Sequence, residues 1–158
     1  MKCNRGYIHG VQWVLLSYRM PREPSTPRIA VWRKLKSFGV AQLGDGLVAL
    51  PADARTREQL EWVAEDVEQA GGSAMLWTAH PESAAHERRI AAEMTAARTE
   101  EYRQLCEQAT AEESAASVRR LRGALRRIER RDYFPTPERE SARAAVQAVV
   151  ERGARERA

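Results

Sequence analysis

Seven arginines and a single glutamate make up most of RRLRGALRRIERR, residues 119–131. Guanidinium groups at this density serve one of four ends. They grip the phosphates of nucleic acid, lie on an anionic membrane, hold a small oxyanion, or keep a helix in solution. Val118, Leu121, Leu125 and Ile128 recur at spacings of 3, 4 and 3 through the stretch, which predicts a helix with one narrow apolar seam. An interfacial membrane helix needs a broad apolar face carrying Trp or Phe, and this seam is too narrow for that. Guanidinium binds phosphate through paired hydrogen bonds and releases condensed counterions, so duplex DNA fits the stripe better. Arg119, Arg120, Arg122, Arg126, Arg127, Arg130 and Arg131 are therefore candidate phosphate contacts. The competing reading is a solvated face balanced by acids elsewhere in the chain.

A second cationic group surrounds a helix start. Arg19, Arg22 and Arg28 flank the PSTPR segment, where free N–H groups and the helix dipole favour anions, and Arg33 and Lys34 continue along the same helix. DNA phosphate or a free compact oxyanion is what such a site would take; ordinary solubilising charge is the alternative. Catalytic and metal chemistry find little support. Ser17 has no histidine near it in sequence, and Gly44-Asp45-Gly46 reads as a hairpin turn rather than a phosphate loop. Cys3 and Cys106 match no metal or redox spacing, and His9, His80 and His86 form no ligand pair at helical spacing. No metal, no cofactor and no enzymatic activity are expected.

The charge is placed locally. The 158 residues carry a net +4, made of +2 over 1–80, −4 over 81–113, +5 over 114–134 and +1 over 135–158. No apolar run approaches the roughly 18 residues of a membrane span. Free cysteines and the lack of a leader-like start predict a soluble cytoplasmic protein.

The elements that position these residues follow from periodicity. VQWVLLSYRM (11–20) reads as a strand closed by Pro21. Thr26 and Pro27 open a helix in which Ile29, Trp32, Leu35 and Phe38 share one side, ended by Gly39. Asp45-Gly46 marks a hairpin, both residues being able to take positive φ. Thr56 with Gln59 predicts a capping box for a second helix, buried along Leu60, Val63, Ala64 and Val67 and stopped by Gly71-Gly72. SAMLWTAH (73–80) is the last strand. The order β-α-β-β-α-β predicts an α+β, ferredoxin-like domain over residues 1–81, followed by a helical region over 82–158 with an acidic and then a basic helix. The two helices would pair antiparallel with a joint near 110–114, and a short helix over 138–152 would close the chain. Trp13, Trp32, Trp62 and Trp77 lie within the apolar patterns and are expected in core or interface.

The segment WVLLSYRMPREPSTPRIAVWRKLKSFGVAQLGDGLVALP, with LEWVAEDVEQAGGSAMLW, resembles the N-terminal domain of ChrB, the chromate-resistance regulator; RRIERRDYFPTPERE looks like the closing part of the same domain. The resemblance implies a DNA-binding transcriptional regulator of chromate-efflux genes. The sheet region is also similar in plan to the C-terminal part of PaaX-type repressors and to the small CRISPR spacer-acquisition protein. Nuclease relatives of the latter carry an aspartate at the end of the first strand, where this chain has Ser17, Tyr18 and Arg19, so hydrolysis by metal-bound water is not expected. ChrB proteins usually continue into a further C-terminal domain, which here is expected from a separately encoded chain. The rival expectation is a chromate-linked accessory protein that binds oxyanion or a partner without touching DNA.

Strands apolar on both sides demand cover on both sheet faces. Val14, Leu16, Tyr18 and Val48 form one set; Trp13 and Trp77 belong to the other. The face that the two helices leave open is expected to be met by a second copy, in a two-fold homodimer with sheet faces or edges apposed and two arginine stripes.

Overall fold

The computed structural model describes residues 10–111 and 117–155; Cys3, His9 and, of the joint expected near 110–114, residues 112–114 lie outside them. The chain divides into two compact units, Met1–Ala91 and Ala92–Ala158.

The first unit contains β1 (Trp13–Arg19), α1 (Ser25–Phe38), β2 (Ala41–Gly44), β3 (Leu47–Pro51), α2 (Ala54–Gln69) and β4 (Ser73–Ala79). The α+β class and the βαββαβ order are those read from the sequence. The strands form one antiparallel sheet in the order β2-β3-β1-β4. Register places Val14 opposite Leu50 and Leu16 opposite Val48, so these four side chains share a face. All four are fully buried, together with Val31 and Leu35 of α1 and Leu60, Val63 and Val67 of α2. Each such side chain contributes about 1.5–3 kcal/mol by leaving water, which makes this the main stabilising layer of the unit.

Several local expectations change. The core stripe of α1 is Val31 and Leu35, while Ile29 and Trp32 face solvent at 45% and 52% exposure. The run at every third residue drifts about 60° per step around a helix, so Ile29 and Leu35 cannot share a narrow face. Pro24, not Thr26, occupies the N-cap of α1. The capping box of α2 lies one turn earlier than Thr56–Gln59. Asp53 accepts from the Thr56 N–H at 2.7 Å, and the Asp53 N–H donates back to Thr56 Oγ1 at 2.9 Å. In the β2–β3 hairpin only Gly46 has positive φ, at 68°. Its carbonyl faces β1 and accepts from the Tyr18 N–H at 2.7 Å.

The opposite sheet face carries Trp13, Leu15 and Ser17 of β1 beside Trp77 and Met75 of β4. Trp13 is buried, whereas Met75 and Trp77 are exposed. The first turn of α3 (Ala84–Ala111) reaches the Trp13 end. Glu87 Oε1 accepts from the Val11 N–H at 2.5 Å and from Trp13 Nε1 at 3.3 Å. Ser83 Oγ caps that turn by accepting from the His86 N–H at 3.2 Å.

In the second unit, the later part of α3 joins α4 (Val118–Glu129) and α5 (Pro137–Arg155). Tyr102, Leu105 and Ala109 meet Leu121 and Ile128 of α4 and Ala142, Val146 and Val149 of α5, with Val118 and Leu125 packed at the margin. The 3-4-3 seam is thus the buried stripe of α4, as its spacing predicts. Arg152 Nη2 donates to the Ala109 carbonyl at 3.2 Å, occupying one of the acceptors that the end of α3 leaves open.

A polar cluster closes this core. Tyr102 Oη donates to Asp132 Oδ2 at 2.8 Å, and Glu101 receives Arg98 at 2.8 Å and Arg131 at 2.5 Å. Burial lowers the Arg98 pKa against the pull of Glu101. Burial, and then the bond to Asp132, hold the Tyr102 phenol well above its ordinary value of 10.0.

Two outcomes follow. A Cβ at Gly46 would stand 2.2 Å from the Tyr18 carbonyl oxygen, whereas one at Gly44 meets nothing within 4 Å. Gly46→Ala should therefore cost at least ~2 kcal/mol in urea unfolding, from left-handed strain plus the clash, and Gly44→Ala less than about 0.5 kcal/mol. For Tyr102 the folded pKa is raised, so its contribution is complete below the unfolded value of 10.0 and is lost as pH rises towards the folded one. Tyr102→Phe should cost about 1.5–3 kcal/mol at neutral pH and reduce the loss of stability above pH ~10, measured by unfolding across pH.

Candidate nucleic-acid interface

Seam burial fixes the orientation of α4, and orientation fixes where its arginines go. With Leu121 and Ile128 inward, Arg119, Arg120, Arg122, Arg126, Arg127 and Arg130 are exposed. At 100° per residue, Arg119, Arg122 and Arg126 fall within about 60° of one another, with Arg130 next to them and Arg127 on the flank. From Arg119 to Arg130 the row extends about 16 Å at 1.5 Å per residue. Among the described residues, the side chains of Arg119, Arg122, Arg126 and Arg127 have no hydrogen bond or ion pair. Arg120 reaches Gln108 at 3.5 Å, and Arg130 has an interaction of its own. Arg131 is different: half-buried, it is bound to Glu101 and serves the polar cluster.

The one acid inside the stripe is turned away from it. Arg143 Nε donates to Glu129 Oε1 at 2.6 Å, and Arg139 Nε stands 3.6 Å from the same oxygen. Both cations come from α5. Gly123 lies within the arginine arc, where a Cβ would make only an ordinary contact, 3.4 Å from Arg127 Nη1. A glycine inside a helix costs about 0.5–1 kcal/mol relative to alanine, and close approach of a ligand to the backbone is one of its uses.

The group around α1 is dispersed. Arg19, Arg22, Arg28 and Arg33 are exposed, and Lys34 is bound to Asp66 of α2 at 2.7 Å. Two open grooves flank the hairpin tip. One, of about 510 Å³, is lined by Arg19 together with Ser17, Met75 and Trp77; the other, of about 480 Å³, by Arg28 together with Ile29, Trp32 and Gln42. Tyr18, Asp45 and Gly46 line both. Arg19 and Arg28 therefore do not converge in one groove, and each shares its groove with the Asp45 carboxylate, which opposes an anion. Burial raises the Tyr18 pKa, so its phenol is neutral at physiological pH. Trp77 Nε1 donates to Ser17 Oγ at 3.0 Å, which occupies the hydroxyl that sequence reading considered as a nucleophile.

Among the described residues no group of three His, Cys, Asp or Glu side chains is placed to hold a metal ion, and no helix is long and apolar enough to cross a membrane. Sequence reasoning missed the Glu129 ion pairs and the Arg98–Glu101–Arg131 cluster. Arg98 and Glu101 stand at i,i+3 on α3, a spacing that could have signalled the pair, whereas the other partners lie 10–14 and 30 positions apart, where helical periodicity carries no information.

No curated protein and no solved structure matches the chain. A family model described as Protein ChrB, N-terminal, matches residues 28–111, from the first turn of α1 to the end of α3. The match does not extend to the arginine stripe or to RRIERRDYFPTPERE, so the α4 surface stands on its own chemistry. Since the matched span is just over half of the 158 residues, the chain belongs to the ChrB N-terminal family.

Proposed function

We propose that this protein is a DNA-binding transcriptional regulator of chromate-resistance genes, holding duplex DNA through phosphate contacts made by α4. The family supplies the regulatory context. The observation that carries the DNA reading is the row of Arg119, Arg122, Arg126 and Arg127, exposed, unpaired among the described residues, and relieved of its only acid by α5. Four or more guanidinium groups along about 16 Å suit a polyanion with one charge per roughly 1.7 Å of duplex axis. A row of arginines with no amide or small hydroxyl side chain among them holds backbone more than it reads base edges. Arg130 and Arg120 extend the contact set, whereas Arg131 and Lys34 are committed to Glu101 and Asp66 and are left out of it. A homodimer would present two such rows to a symmetric site.

The oxyanion-binding alternative loses support because Arg19 and Arg28 lie in separate grooves that both contain Asp45.

Binding of a fluorescent duplex should weaken steeply between low and physiological salt. In the variant R122Q/R126Q/R127Q, the slope of log K against log salt should fall in magnitude by about 2–3, at roughly 0.9 per lost phosphate contact. Lack of duplex binding by the wild type at low salt, or an unchanged slope in the triple variant, would refute the proposal.

A further inference from the structure

Charge is sorted between the two helices that cover the sheet. Arg28, Arg33, Lys34 and Lys36 are the only charged residues of α1. α2 opens with two arginines, Arg55 and Arg57, the latter donating to Thr78 of β4 at 3.0 Å, and after them carries only acids: Glu58, Glu61, Glu65, Asp66 and Glu68. The helices pack side by side and are tied by Lys34–Asp66. Their outer surface is therefore a cationic strip beside an anionic strip.

Each strip also holds a large apolar side chain that the unit's own core does not use. Trp32, at 52% exposure, stands with Ile29 on α1, and Trp62, at 46%, stands on α2. Lys36 Nζ lies 5.4 Å from the centre of the Trp32 ring, so apolar surface and positive charge are fused there. Half-exposed tryptophans ringed by charge have the character of interface anchors, which are enriched in Trp.

We propose that this layer is a two-fold interface with a second copy of the chain, α1 of each protomer lying on α2 of the other. The surface is complementary to itself. A two-fold axis running along the α1–α2 seam sets each cationic strip over an anionic one, twice over, and brings Trp32 and Trp62 towards the partner's helices. A partner of uniform charge would match one strip and be repelled by the other. The proposal does not depend on DNA binding. It moves the pairing surface away from the open sheet face, where Trp13 is buried and bonded to Glu87 of α3 and Met75 and Trp77 are about half-exposed.

Sedimentation velocity at micromolar concentration, without DNA, should find a dimer. A charge swap then tests the geometry. R33E/K36E sets acids against the partner's Glu61 and Glu65, and E61K/E65K sets lysines against the partner's Arg33 and Lys36; each alone should be monomeric, with wild-type circular dichroism. Mixed in equal amounts, the two should form a heterodimer, since both contacts regain opposite signs. Trp62→Ser, a change at an exposed position, should weaken the wild-type dimer at least tenfold. A monomeric wild type, swapped variants that still form homodimers, or a mixture that stays monomeric would each overturn the proposal.

Discussion

Arg143 donates to the Glu129 carboxylate at 2.6 Å while Arg139 stands 3.6 Å from it, and the outer surface of the second unit depends on that pairing. Glu129 is the last residue of α4 and lies a turn or less from Arg126, Arg127 and Arg130. Left free, it would take one of them as a neighbour on the helix surface, an arrangement worth a few tenths of a kcal/mol. Two cations from α5 compete for it instead, at 21% exposure of its side chain, where screening by solvent is weaker. The contact ties α5 to the end of α4 and leaves the stripe with its full charge.

Repulsion within that stripe must be borne by something. Like charges one turn apart are destabilising by amounts similar to those that opposite pairs contribute, and the mid-helix Gly123 adds its own cost. The buried seam more than offsets both. Leu121 and Ile128 are at or near full burial against Tyr102, Leu105 and the α5 valines, and each removes about 1.5–3 kcal/mol worth of apolar surface from water. Arg131 extends the helix chemically but not functionally. Half-buried beside Glu101 and Arg98, it belongs to the interior, because a buried guanidinium without a carboxylate would be costly.

The parts of the fold that were legible in the sequence are those set by nearest neighbours. Gly39 ends α1 in the left-handed conformation at φ 73°, the Asp45-Gly46 pair turns the β2–β3 hairpin, and the 3-4-3 seam is the buried stripe of α4. Finer local choices depended on tertiary context. Asp53 displaced Thr56 as the N-cap because Thr56 Oγ1 is itself buried and donates to the Pro51 carbonyl at 2.7 Å. Trp32 and Ile29 read as core by hydropathy, yet Val31 and Leu35 point at the sheet, and nothing in a single strip of sequence says which of two apolar sides wins. The arginine stripe was visible as composition. That Arg131 and Lys34 are structural, and that Glu129 is diverted, required contacts 30, 32 and 14 residues distant.

A surface made almost wholly of guanidinium groups has a consequence for how DNA would be chosen. Phosphate contacts fix position and supply affinity but carry no sequence information directly. Along its exposed arc α4 offers no Asn, Gln, Ser or Thr to pair with base edges, only arginines and Gly123. Guanine recognition by one arginine is chemically open to it, but most of the discrimination would have to come from DNA shape and from the fixed spacing of two rows in a symmetric assembly. On the proposed reading, the arginine row of α4 supplies grip on phosphate, and selectivity would rest on features of the duplex that a backbone contact senses indirectly.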